Sequence, residues 1–140
     1  MSRPTDDALK RLGNSMREID PSTLAPDPDG GTVRWFLGEE GTEVYVWTRG
    51  ADAPHHLQLV FSRVSVEWSD RSGLTTGTFR VNASTAGGRY DSYILTVGHQ
   101  VDPEVCDAAL VLLEASKIDP PAIAPLVDAL RRFVPRPLAP

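Results

Sequence analysis

The sequence predicts an α+β fold. An antiparallel meander sheet of five to six strands, open or partly closed into a barrel, is preceded by one helix and followed by two. Three observations carry this expectation. Residues 32–97 alternate apolar and polar side chains with a period of two, broken by short turns rich in Gly, Pro, Asp and Ser. Apolar residues at helical spacing occupy both flanks, in residues 5–19 and 102–134. No helix-period segment interrupts the strands, which argues against a doubly wound arrangement, because parallel strands need crossover helices between them.

Residues 5–19 read as an amphipathic helix capped by Thr5, with Asp6 and Asp7 at the positive end of its dipole. Leu9, Leu12, Met16 and Ile19 form its apolar stripe, and Gly13 weakens it by about 1 kcal/mol relative to Ala. Asp20-Pro21 is expected to end it, since a residue before proline is pushed out of the helical region. Residues 20–31, with Pro21, Pro26, Pro28, Gly30 and Gly31, read as a linker, so the first helix docks either on this chain or on a neighbour.

The strands follow in order. Residues 32–38 alternate Val33, Trp35 and Leu37 with Arg34 and Phe36, and residues 38–41 turn the chain. In residues 42–49, Val44 and Val46 share one face while Tyr45 and Trp47 share the other, which marks a strand apolar on both sides. Residues 55–68 carry two phases: Leu57, Leu59 and Phe61 at odd positions, then Val64, Val66 and Trp68 at even ones. A bulge near Ser62-Arg63, or a corner between two sheets, accounts for the switch. Residues 69–73 turn, residues 74–82 form a strand with Phe79 and Val81, residues 83–89 loop, and residues 90–97 form the last strand.

Two helices close the chain. Asp102 caps the first and Pro103 takes its first position, where a missing N–H costs nothing. Cys106, Ala109, Leu110 and Leu113 form its buried face. Pro120-Pro121 reads as a break, with a second helix from about Ala124-Pro125 to Val134. Residues 135–140 read as a polyproline-like tail.

The chain has 140 residues, which suits one domain able to bury roughly two-thirds of its unfolded surface. With 41% hydrophobic and 24% charged residues it is expected to pack a core. A net charge of −5 disfavours nonspecific nucleic-acid or anionic-membrane binding, which draws on excess Lys and Arg. The single cysteine, Cys106, rules out an internal disulfide and suits a reducing compartment. No run approaches ~18 apolar residues and residues 1–7 hold no apolar signal core, so a cytoplasmic protein without membrane insertion is the expectation.

No catalytic pattern stands out, and no cofactor is implied. His55 and His56 are adjacent on a strand, so at most one is expected to serve a given metal site. Ser92, His99 and Asp102 could be assembled into a triad, but none sits in the strained turn that exposes a nucleophile. Glu67 is expected on the face opposite Val66 and Trp68, towards solvent. Cys106 reads as a buried inert thiol.

Residues Asn82-Ala-Ser84-Thr-Ala-Gly87 form a motif similar to the Asn/Asp-x-Ser-x-x-Gly turn of PilZ domains, small β-barrels that bind cyclic di-GMP. The resemblance implies a barrel and a ligand loop made by Asn82, Ser84, Gly87 and Arg89. PilZ domains that bind the nucleotide also carry an upstream Arg-x-x-x-Arg clamp, and no such pair lies upstream of Asn82 here. In outline the chain also resembles type III secretion chaperones, which are acidic proteins of about this length that act as dimers. Those proteins insert a helix within the sheet, and residues 32–97 show none.

The strand-borne aromatics give the leading functional expectation. Trp35, Tyr45 and Trp47 are candidates for an aromatic sheet face or edge that docks a protein partner, with a homodimer as one form of this. The expected role is a non-catalytic adaptor, regulatory subunit or chaperone-like module; the alternative is a small-ligand sensor.

Overall fold

The structure is a computed structural model that describes residues 3–24, 31–49, 53–81, 93–97 and 101–134. Seven strands run in sequence order across one antiparallel sheet: β1 (Arg17–Glu18), β2 (Thr32–Leu37), β3 (Glu43–Thr48), β4 (Pro54–Phe61), β5 (Val64–Ser69), β6 (Gly73–Val81) and β7 (Tyr93–Val97). Six of these form the meander, and β1 adds a two-residue fragment at one edge. The sheet stays open, with β1 and β7 at its edges, so the barrel alternative is corrected. Three helices complete the fold: α1 (Asp6–Ser15), α2 (Pro103–Ala115) and α3 (Pro120–Phe133). No helix among the described residues is long and apolar enough to cross a membrane.

Helix α1 starts where Thr5 caps it, its hydroxyl accepting from the Ala8 N–H at 3.2 Å. It ends well before residue 19. Met16 is already extended, and the chain continues into β1, where Ile19 N–H donates to the Trp35 carbonyl at 2.8 Å. Sheet pairing thus takes the last turn expected of the helix. The helix docks on its own chain, against α2, and buries Leu9 and Leu12. Gly13 is the point of closest approach: a Cβ there would lie 2.2 Å from the Leu112 carbonyl oxygen. Its poor helix propensity is therefore offset by packing that a larger residue would block.

The two-phase segment is a hairpin rather than a bulged strand. Ser62 and Arg63 both adopt positive φ, 46° and 64°, as a two-residue turn of the left-handed type requires, and the chain reverses there. Each half keeps its own parity, so Leu57, Leu59 and Phe61 share one face with Val64, Val66 and Trp68. The irregularity in the ladder lies elsewhere, between β3 and β4. Trp47 pairs with His56 but Thr48 pairs with Pro54, leaving His55 as an extra residue.

Asp102 and Pro103 begin α2 as expected, the Asp102 carboxylate accepting from Glu104 N–H at 2.9 Å. Pro120 and Pro121 do not break the chain. They take the first positions of α3, where the missing N–H groups have no intrahelical partner to lose, and Pro125 lies inside the helix. The helices cover one sheet face. Phe36, Val44, Val46, Leu57, Leu59, Phe61 and Val66 form one core with residues of the three helices, and α1 packs on α2 and reaches the β2–β3 turn. In β2 the core residue is Phe36, whereas Leu37 is 36% exposed.

Arg34 joins three elements at the margin of this core. Its guanidinium makes two 2.8 Å hydrogen bonds to the Glu18 carboxylate of β1, and two more, at 2.8 and 3.1 Å, to Asp119 at the start of α3. These forked contacts hold the Glu18 and Asp119 carboxyls below their ordinary range.

Candidate functional site

The sheet face opposite the helices carries Trp35 on β2, Tyr45 and Trp47 on β3, His56 on β4 and Glu67 on β5. The register explains why they meet. Trp35 lies opposite Tyr45, Trp47 lies opposite His56, and Glu67 is opposite Gln58, one step diagonal from His56. The rings stack into one ladder. Centroids are 5.7 Å apart for Trp35–Tyr45, 5.6 Å for Tyr45–Trp47 and 4.2 Å for Trp47–His56, with planes within 18° of parallel. At its end, His56 Nε2 bonds the Glu67 carboxylate. All five side chains are half-buried. Inner ring faces are spent on one another, so the ladder presents edges outward. That suits contact with another protein surface better than stacking of a flat sugar or base. Trp35 Nε1 is buried without a hydrogen-bond partner among the described residues.

Two grooves flank the ladder. One, of about 650 Å³, is lined by Glu40, Gly41, Glu43, Tyr45, Gln58, Val60, Arg63 and Phe79. Burial holds the Glu43 carboxyl above its ordinary range, an effect that the Tyr45 hydroxyl partly offsets. Burial, with the adjacent Glu43 charge, likewise raises the Tyr45 phenol. The other groove, of about 430 Å³, is lined by Arg49, His55, His56, Glu67, Ser69, Asp70, Arg71 and Thr75 among others. Both histidines reach it. The ladder is irregular at His55, where Thr48 pairs with Pro54. Among the described residues no three His, Cys, Asp or Glu side chains gather as a metal set.

The structure thus brings Trp35, Tyr45 and Trp47 together, and places Glu67 on the face expected for it. The alternative ligand loop, Asn82, Ser84, Gly87 and Arg89, lies outside the described residues, as do Ser92 and His99. Asp102 is occupied as the cap of α2, its N–H donating to Thr76 Oγ1 at 3.0 Å. Cys106 is fully buried and burial pushes its thiol up to about 12, which removes it as a nucleophile at neutral pH. Sequence reasoning missed the His56–Glu67 contact and the placement of Glu43 in a groove beside Tyr45. Both depend on which strands are neighbours, and that order hinged on reading Ser62-Arg63 as a turn.

Comparison with family models, curated proteins and solved structures finds no match to this chain. The residues and their geometry therefore carry the functional reading.

Proposed function

We propose that this protein is a non-catalytic docking module, acting in the cytoplasm, that binds a protein partner on the outer face of its sheet through Trp35, Tyr45 and Trp47. The observation that supports this is the stacked ladder, half-exposed on a face that no helix among the described residues covers. Large aromatic side chains already fixed by their neighbours lose little freedom on binding and supply much of the contact energy at interfaces. An adaptor, a regulatory subunit and a chaperone-like protein all use such a face in the same physical way.

The test is capture of partners from native cytosol by the intact protein and by Trp47→Ala, with far-UV circular dichroism showing that the variant is folded. A stoichiometric partner held by the first and lost by the second is the expected result. Retention by the variant, or capture of no protein at all, refutes the reading. A second copy of the chain as partner would appear as a dimer that Trp47→Ala dissociates.

One observation favours a catalytic alternative: His56 is oriented by the Glu67 carboxylate beside a groove. The pair is short of a nucleophile, because Ser69 lines the groove without a hydrogen bond to His56 and its hydroxyl accepts from Ser72 N–H at 2.9 Å. The docking reading is therefore preferred.

A further inference from the structure

Among the described residues most carboxylates are exposed, matched to an arginine or bonded to a histidine. Glu18 and Asp119 hold Arg34, Glu39 and Glu40 face Arg11, Glu67 holds His56, and Asp107 holds Arg3. Glu43 differs. Among the described residues it is the one half-buried carboxylate with no Lys, Arg or His nitrogen within 4.0 Å. It sits in the larger groove beside Tyr45 and Gln58, and the apolar walls of that groove are Val60 and Phe79. A partly desolvated carboxylate without a counter-charge is unfavourable by itself, and its cost is relieved when a cation reaches it. Of the other charged groups in the lining, Glu40 faces Arg11, and Arg63, exposed on its positive-φ turn, is the one basic side chain.

We propose that this groove receives a basic side chain of the protein partner, its aliphatic stem lying along Val60 and Phe79 and its cation meeting the Glu43 carboxylate. The inference rests on the docking reading and refines it by stating the partner's chemistry. The apolar stem of a lysine or arginine suits the apolar wall while its head seeks the carboxylate, a division that a short or neutral side chain cannot reproduce. Tyr45 belongs to both features: its ring is the second rung of the ladder and its hydroxyl lies at Glu43. A partner seated on Trp35 and Trp47 would therefore present its basic residue a few ångströms away, in continuity with the aromatic contact. Arg63 opposes the incoming cation and sets the limit on affinity.

The probe is Nα-acetyl-lysine methylamide, titrated into the intact ¹⁵N-labelled protein and followed by amide chemical shifts, with the norleucine analogue as the uncharged control. Saturable shifts centred on Glu43, Gln58 and Val60, clearly weaker with norleucine, are expected. Glu43→Gln should weaken binding about tenfold, because it removes the charge and keeps the shape. Arg63→Gln should strengthen it by about two- to threefold through loss of repulsion. The spectrum of each variant reports whether it is folded. Equal binding of norleucine, unchanged binding to Glu43→Gln, or no saturable shift overturns the proposal. If the lysine probe fails while a Trp47-dependent partner is captured, the basic-residue assignment falls and the docking reading stands. If capture fails while the probe binds as described, the docking reading falls and the cation groove remains.

Discussion

Replacing Gly13 by Ala tests whether α1 is an integral part of this fold. In an isolated helix the change would stabilise by about 1 kcal/mol, because Ala is the better helix former. Here the new Cβ would lie 2.2 Å from the Leu112 carbonyl oxygen, with the Ala115 Cβ at 3.3 Å. The nearest obstacle is helix backbone, so no side-chain rotation relieves it. The helices must separate by roughly 1 Å, which loosens the seam around Leu9 and Leu12 in a close-packed interior. Overpacking of this kind costs about 1–3 kcal/mol, and more where backbone is displaced. Because backbone is displaced, a cost of about 3 kcal/mol applies; less the propensity gain of about 1 kcal/mol, this leaves the variant about 2 kcal/mol less stable. Urea unfolding followed by far-UV circular dichroism measures this directly. Asn14→Ala, an exposed neighbour on the same helix, serves as control and should be neutral or slightly stabilising. Equal or greater stability of Gly13→Ala would show that α1 does not sit against α2 as described.

Arg34→Met should cost about 1–2 kcal/mol, discounted for solvent screening because the Asp119 side chain is 52% exposed. Since Arg34 holds the Glu18 and Asp119 carboxyls below their ordinary range, its contribution is full above that range and is lost as pH falls through it into the lowered range. The gap in melting temperature between wild type and variant should shrink on acidification from pH 6 to about pH 3, and a constant gap would contradict the assignment. Changing Ser62 to Asn together with Arg63 to Gly should raise stability by about 1 kcal/mol, because both positions hold a positive φ that Asn and Gly adopt with less strain; a loss in chemical denaturation would count against the turn. At pH 8 the buried Cys106 thiol should react with a disulfide reagent only as fast as the protein opens, and labelling at the rate of a free thiol would show that α2 is not packed as described.

What could be read without the structure was local. Thr5 and Asp102 announce their helices because a capping side chain acts within three residues of itself. The two faces of β3 follow from alternation alone. Failures came where a residue serves a purpose set by distant neighbours. Ser62-Arg63 lacks the Asn-Gly chemistry that usually marks a two-residue hairpin, so the phase change resembled a bulge. Pro120-Pro121 resembled a break because the same residue ends one helix and begins another, and only the helical path beyond it tells the two apart. Met16 and Ile19 fit the helical stripe equally well, but a pairing partner on β2 claims the chain between them. For the aromatic face proposed to dock a partner, residue types identified Trp35, Tyr45 and Trp47. The participation of His56, Glu67 and Glu43 required the register across β3, β4 and β5.

The contact between Gly13 and Leu112 also has a consequence during synthesis. Each strand pairs with its neighbour in sequence, so the meander can zip up hairpin by hairpin with short loop closures. Helix α1 touches the β2–β3 turn, but its main partner α2 lies near the other end of the chain. At ordinary elongation rates roughly 5–20 s separate the appearance of the two helices. Throughout that interval the face of α1 that packs on α2, with Leu9, has no helix to cover it. The first helix made thus waits through most of synthesis for the helix that covers it, and during this interval the nascent chain is exposed to aggregation and to capture by chaperones.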